Sequence, residues 1–362
     1  MDVNWLYKRV YDGVNYRLRT FAGGRLAHLC RPPSIIFLLT ERCNAHCLHC
    51  DIWKNRGKED SPTFEQWAQV LTDLRNWLGP VQVSFSGGEA LLKPYTIDLV
   101  RHARSIGLYL EILTHGYWTD QGKIEELALA GPWRVTLSFD GIGETHSRVR
   151  GREKFWDKTS TSIETFKRVR QEHGLGYTIR LKNVIMSHNL HDTVKVAHWA
   201  NQPGMEVFYQ PIEQNYNTPE DERWWEHSDN WPKDTSVAVA NIRELIRLKG
   251  QGLPIANSIA QLEAMILYFE NPESSRVSSM SHSAHEVRQS CNALSTLQFQ
   301  ANGDVTVCTG LGVVGSVKEK GIREIWEGRP RVWESGCCLQ RRMSPVEIET
   351  KRPVVVVAAT PE

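Results

Sequence analysis

Cys43, Cys47 and Cys50 fall within one eight-residue stretch and are the densest chemistry in this chain. Thiolates spaced C-x-x-x-C-x-x-C reach one metal centre only if the backbone wraps around it. Three ligands rather than four is the informative count, because a four-iron cluster then keeps one iron open to another molecule. A structural zinc site completed by His46, His49 or a distant cysteine is the competing reading. Zinc motifs more often come as two C-x-x-C pairs. Four further cysteines, Cys291, Cys308, Cys337 and Cys338, lie in the C-terminal region, the first two flanking the Asn302-Gly303-Asp304 turn. Cys30 stands apart as an ordinary buried or loop thiol. Residues 1–30 hold no apolar signal core, and no apolar run approaches the ~18 residues of a membrane span. The expected location is therefore cytoplasmic, where clustered thiols bind metal more often than each other.

The elements that must position these residues form a repeating strand–helix unit. Strands are expected over Ser34–Thr40, Val81–Ser86, Tyr109–Thr114, Arg134–Phe139, Tyr177–Met186 and Glu206–Ile212. Helical spacing is expected over Thr63–Leu78, Thr96–Ser105, Gln121–Ala130, Lys158–Glu172 and Leu190–Ala200. Thr63 and Gln66 stand in capping-box register. Six strands separated by helices pair in parallel with right-handed crossovers. Unbroken repetition favours a barrel of six units, with the cysteine loop at the carboxyl end of its first strand, where barrels carry their sites. The fold class is thus α/β, a partial (βα)6 TIM-type barrel with a small C-terminal α+β domain. At 362 residues, with 43 basic against 42 acidic side chains, the chain suits one large domain plus an appendage. A net charge of +1 argues against a nucleic-acid partner.

The expected organisation is a helical extension over 1–33, the barrel over 34–215, a helical linker over 216–285, the small domain over 286–343 and a tail over 344–362. In the extension, Leu6, Val10, Val14 and Leu18 form an apolar stripe, read as packing on the barrel rim rather than on a membrane. The Trp-rich stretch 213–234 suits either a lid or a surface linker. The hairpin signal is Leu297–Gln300, the Asn302-Gly303-Asp304 turn and Val305–Cys308.

C-x-x-x-C-x-x-C after a first barrel strand resembles the signature of the radical S-adenosylmethionine (radical SAM) superfamily. Ser86-Gly87-Gly88-Glu89 ends the second strand, where that family carries a Gly-Gly-Glu motif. Ser138-Phe139-Asp140-Gly141 ends the fourth and is similar to its Ser-Leu-Asp-Gly. Asn183 lies on the fifth strand, and Thr114-His115-Gly116 resembles a Thr-Asn-Gly. His49 takes a place that is usually aromatic. The resemblance covers residues 34–212. It implies that Cys43, Cys47 and Cys50 hold a 4Fe–4S cluster whose open iron is chelated by the amino and carboxylate groups of S-adenosylmethionine. It further implies that Gly87, Gly88, Glu89, His49, Ser138, Asp140 and Asn183 contact that cofactor. One electron from a reduced carrier such as flavodoxin or ferredoxin then yields methionine and a 5′-deoxyadenosyl radical, which abstracts hydrogen from the substrate.

The C-terminal cysteines resemble the SPASM and twitch extensions of the same superfamily. Four thiols suffice for one auxiliary 4Fe–4S cluster and not two, which favours the twitch-like form. A zinc site from the same four is the alternative. Cys337 and Cys338, adjacent in the chain, are also candidate hydrogen donors. The expected activity is oxidation, epimerisation or rearrangement of a small molecule (a sugar, nucleoside or amino acid). The runner-up is a peptide-modifying maturase, disfavoured by an extension too short for a peptide-recognition domain. A non-catalytic zinc or iron–sulfur scaffold is the reading from another class.

Overall fold

A computed structural model describes residues 3–20, 26–55, 57, 59–219, 221, 223–272, 292–308 and 311–331. Its centre is one sheet of nine strands in the order β6-β5-β4-β3-β2-β1-β7-β8-β9. Strands β1 (Ser34–Thr40), β2 (Gln82–Gly87), β3 (Tyr109–Thr114), β4 (Arg134–Ser138), β5 (Thr178–Ile185) and β6 (Met205–Pro211) run parallel. Helices α2 (Phe64–Leu78), α3 (Thr96–Ser105), α4 (Gln121–Ala130), α5 (Glu144–Val149), α6 (Phe155–Glu172) and α7 (Thr193–Trp199) connect them. Sequential parallel neighbours require crossovers, and the helices on one face bury the strands' apolar side. Along β1, Ile35, Phe37 and Leu39 are buried, whereas Ile36 and Leu38 turn to the concave inner face. The sheet is not closed, so the α/β partial barrel expected from the strand–helix repeat is the architecture present.

Local sequence explains the elements that matter for the site. Helix α2 opens with a complete capping box, Thr63 Oγ1 accepting from Gln66 N–H at 3.3 Å and Gln66 Oε1 from Thr63 N–H at 2.9 Å. It then buries Trp67, Val70, Leu71, Leu74 and Leu78 on one face. Each such side chain contributes about 2 kcal/mol of burial. Phe37 of β1 packs on Phe85 of β2 and on Trp67. Phe37→Ala should therefore cost about 4 kcal/mol.

Both flanks of the barrel are covered. The outer edge of β6 is met by residues 254–257, with Val207 N–H donating to Pro254 O at 2.9 Å. Asn257 imitates a strand there, accepting from Tyr209 N–H at 2.7 Å and donating to Tyr209 O at 2.8 Å. An edge so paired is closed to other chains. This segment joins α8 (Thr235–Gly250) to α9 (Ile259–Glu270), and α9 packs on β6. On the other side, β7 (Thr296–Phe299) joins β1 in parallel, and β8 (Asp304–Thr306) and β9 (Val313–Ser316) add antiparallel to it. The C-terminal hairpin thus extends the barrel sheet, and α10 (Ile322–Gly328) follows it.

One expectation is corrected. Helix α1 (Val3–Thr20) forms despite Gly13, but Leu6, Val10 and Val14 are 49%, 57% and 50% exposed. The buried face is instead Lys8, Tyr11 and Asn15. Tyr11 Oη donates to Pro32 O at 3.0 Å, and Asn15 Oδ1 accepts from Arg31 N–H at 2.6 Å. Polar contacts orient this helix, and of the apolar stripe only Leu18 packs against the core. No helix among the described residues is long and apolar enough to cross a membrane.

Candidate active site

The loop leaving β1 has almost no regular structure, yet nearly every turn of it is tied to a neighbour. From β2, Gly88 N–H donates to Thr40 O at 2.7 Å and Glu89 N–H to Arg42 O at 2.9 Å. From the end of α5, Arg150 O accepts from His46 N–H at 3.1 Å and Val149 O from Leu48 N–H at 3.0 Å. Arg152 adds a bond to Asn44 O at 2.7 Å. From the segment after β6, Tyr216 O accepts from Asp51 N–H at 3.0 Å. Asn215 and Asn230 both donate to Leu48 O, at 3.2 and 3.1 Å. The Trp-rich stretch thus straps the cysteine loop, with Trp224 and Trp231 buried as its anchors.

Glycine is required at the β2 end. Gly87 has φ +123°, and a Cβ there would run into Thr40 O; at Gly88 it would run into Arg42 O. The pair lets two backbones approach within hydrogen-bonding distance while also lining the cavity. That cavity, of about 340 Å³, is lined by Cys43, Cys47, Cys50, His49, Gly87, Gly88 and Ser138 together with His115, Arg150, Lys182, Gln210, Glu213 and Tyr216. Seven of the residues expected at the cofactor therefore share one space. Cys47 also packs with Ala45 and Phe155, against Cys43, Cys50 and Tyr117.

Three expected residues lie behind the lining. Glu89 is buried and accepts from Thr114 Oγ1 and His115 N–H, both at 2.9 Å, and from Leu91 N–H at 3.2 Å. It orders the end of β3, where His115 Nε2 in turn meets Asn44 Oδ1 at 2.7 Å. Asp140, fully buried, accepts from Val184 N–H at 2.9 Å and pairs with Arg150 Nη2 at 2.5 Å. Asn183 donates to Phe139 O at 2.9 Å, and its buried Oδ1 has no partner.

Arg150 escaped the sequence reading. It links Asp140 to Cys47, its Nη1 standing 3.5 Å from Cys47 Sγ. The signal available was an arginine four residues after His146 on a helix too short to show periodicity. Lys182 and Glu213 were missed as well. A lysine alternating with Arg180 on an otherwise apolar strand marks positions turned into the barrel.

Electrostatics around the thiols favour the neutral form while no metal is bound. Burial pushes Cys43 up to about 12. Burial raises Cys47 too, against the pull of the Arg150 guanidinium. Asp140 remains below the usual carboxylate range: burial opposes this, and Arg150 with the two histidines His49 and His146 overcomes it. Metal binding must therefore displace thiol protons, and Arg150 is placed to offset the negative charge that results.

Three thiols lining one cavity are the donor set a four-iron cluster needs to keep one iron open. Among the described residues, no three His, Cys, Asp or Glu side chains stand close enough to hold one metal ion. An apolar shell around three sulfurs and one open side suits such a cluster.

Of the other cysteines, Cys30 is buried and donates to Leu294 O at 2.9 Å. Cys308 is half-buried after β8 and lies outside the cavity lining. Cys291, Cys337 and Cys338 fall outside the described residues.

Comparison with known proteins agrees with this geometry. Residues 37–194 match the family model of the Radical SAM superfamily. A PqqA peptide cyclase of Streptomyces rochei is 40% identical over 108 residues, 30% of this chain and only 29% of that relative. A pre-heme d1 synthase of Dinoroseobacter shibae is 26% identical over 339 residues, covering 89% of this chain and 79% of the relative. Among solved structures, Streptococcus suis SuiB bound to S-adenosylmethionine superposes with a TM-score of 0.63 at 16% identity, over 84% of this chain and 67% of that one. The first five parallel strands, a cysteine triplet at the end of the first and a glycine pair at the end of the second thus coincide with the matched region: residues 37–194 carry a radical SAM domain, of the enzyme family that works with a 4Fe–4S cluster and S-adenosylmethionine.

Proposed function

We propose that Cys43, Cys47 and Cys50 hold the 4Fe–4S cluster and that Gly87, Gly88, His49 and Ser138 form the S-adenosylmethionine side of the same cavity. The observation that carries this is their convergence on one space from three separate strand ends. Bound there, the two cofactors supply a one-electron cleavage that ends in hydrogen abstraction from an organic substrate. The residues' own part is to hold and to shield. Glu89 and Asn44 set His115, the Asp140–Arg150 pair sets the charge beside Cys47, and the strap after β6 keeps Leu48 in place. Excluding water around the sulfurs falls to Ala45, Phe155 and Tyr117.

The substrate is a small organic molecule, and a carboxylate-bearing haem-type macrocycle is the first candidate. The support is that the pre-heme d1 synthase aligns along most of both chains. Peptide modification is the second reading, favoured by the higher identity of the shorter peptide-cyclase match. Cys291, Cys308, Cys337 and Cys338 are proposed to hold an auxiliary cluster in a twitch-like region, with an electron carrier of the flavodoxin or ferredoxin kind as donor in the cytoplasm.

The test is anaerobic reconstitution with iron, sulfide, S-adenosylmethionine and dithionite. Wild type should form 5′-deoxyadenosine, and Cys47→Ala should form none above background. A wild-type preparation that binds zinc alone and leaves S-adenosylmethionine intact would sink the reading.

A further inference from the structure

The inner face of the barrel is charged, and nearly all of that charge is matched. Arg180 Nε on β5 stands 2.6 Å from Glu206 on β6. Arg134 on β4 stands 3.5 Å from Glu206 and 3.8 Å from Glu111 on β3. Two residues further along β5, Lys182 is in register with Ser138 of β4 and Phe208 of β6, and it lines the cavity. Arg150 and Lys182 are the two strongly basic side chains in that lining; burial lowers the Lys182 pKa, and nearby carboxylates, Glu213 first, work against that shift. Arg150 is engaged by Asp140 and Cys47. The Lys182 ammonium makes no hydrogen bond or ion pair with any described residue, although its backbone carbonyl accepts from Phe139 N–H at 2.8 Å.

A half-buried ammonium without a partner is a cost unless something supplies the opposite charge. Glu213 is the one carboxylic acid in the lining and lies beyond ion-pair distance of Lys182. Burial raises its carboxyl above the usual range, so it is a weak counter-charge. Lys182, Gln210 and Glu213 belong to the β5–β6 wall. In strand order β5 is three places from β2, or about 14 Å of sheet. The cysteines and the glycine pair occupy the β1–β2 side.

We infer that Lys182 anchors a carboxylate of the substrate, which enters along the β5–β6 wall and leaves the β1–β2 side to the cofactors. This rests on the radical SAM reading above and deepens it by assigning the substrate's charge and its point of attachment. With the cluster and S-adenosylmethionine sharing this cavity of about 340 Å³, the β5–β6 wall is left for a carboxylate-bearing arm of a large molecule rather than a whole macrocycle. S-adenosylmethionine also carries a carboxylate, so the test must separate the two sources.

Reconstituted wild type, Lys182→Gln and Lys182→Arg are each titrated with S-adenosylmethionine. The S-adenosylmethionine-loaded proteins are then titrated with coproporphyrin III, a tetracarboxylate followed by its absorbance. The Gln variant should bind coproporphyrin III about tenfold more weakly, a loss of about 1.4 kcal/mol. The Arg variant should recover most of the affinity. S-adenosylmethionine affinity should stay within about twofold in all three, since Lys182 does not serve it. Equal coproporphyrin III affinity in wild type and Gln variant, or no saturable binding to wild type, overturns the inference. So does a roughly tenfold loss of S-adenosylmethionine affinity in the Gln variant, which would hand the lysine to the cofactor. Absence of 5′-deoxyadenosine from the wild-type samples counts separately, against the radical reading itself.

Discussion

The two sides of the cavity are built on opposite terms. On the β1–β2 side the backbone is irregular but tied at many points: β2, the end of α5 and the strap after β6 each bond to the cysteine loop. On the β5–β6 side the backbone is regular strand, yet the Lys182 and Glu213 side chains find no hydrogen-bonding partner among the described residues. Rigidity here follows from the number of ties and not from secondary structure. A pre-organised wall suits a cofactor of fixed shape, and an unpaired wall suits a molecule that brings its own charge.

The contrast breaks most sharply at Arg150. Arg150→Met leaves the Asp140 carboxylate buried and unpaired, and thermal melts should show a loss of about 3–5 kcal/mol. Adding Asp140→Asn should recover part of it; no recovery would mean the pair is not the reason. Next is Gly88→Ala, whose new Cβ meets Arg42 O and must push the loop from β2, at about 2 kcal/mol by denaturant titration. Asn230→Ala removes one of two donors to Leu48 O and should cost about 1 kcal/mol, read the same way.

A smaller effect is set by pH. Glu59 accepts from Thr40 Oγ1 at 2.8 Å and Glu41 N–H at 2.5 Å and pairs with Lys93 at 2.7 Å. Burial works against its ionised form, but the bonds from Lys93, Thr40 and Glu41 hold the carboxyl below its usual range. A depressed folded-state pKa stabilises above the unfolded value and is lost as pH falls through the folded one. The melting-temperature gap between wild type and Glu59→Gln should therefore be present at neutral pH and narrow at pH below the normal glutamate range. A gap that widens in acid would contradict this.

The smallest expected effect is on the other wall. Lys182→Met removes an ammonium that has no partner, so stability should change by less than about 0.5 kcal/mol or rise slightly. A loss as large as that of Arg150→Met would erase the distinction between the two sides.

The barrel was legible because its signals are local. Ser34–Thr40 is an apolar run of strand length, and α2 carries both its capping box and its buried stripe in sequence. The cysteine triplet and the glycine pair were legible for the same reason. What sequence periodicity could not reach is partnership at a distance. Arg150 meets Cys47 across 103 positions and Asn230 meets Leu48 across 182. Helix α5 is six residues long, too short for an apolar face to declare itself. Helix α1 was oriented wrongly because the atoms that seat it are a tyrosine hydroxyl and an asparagine amide, which a hydrophobic pattern does not count.

The central claim is that Cys43, Cys47 and Cys50 together hold one four-iron cluster. Iron and acid-labile sulfide per chain, measured on anaerobically reconstituted wild type and on Cys43→Ala/Cys47→Ala/Cys50→Ala protein, test it directly. The account predicts that the triple variant loses about four irons and about four sulfides relative to wild type. Equal iron in the two proteins, or zinc displaced in place of iron, would contradict it.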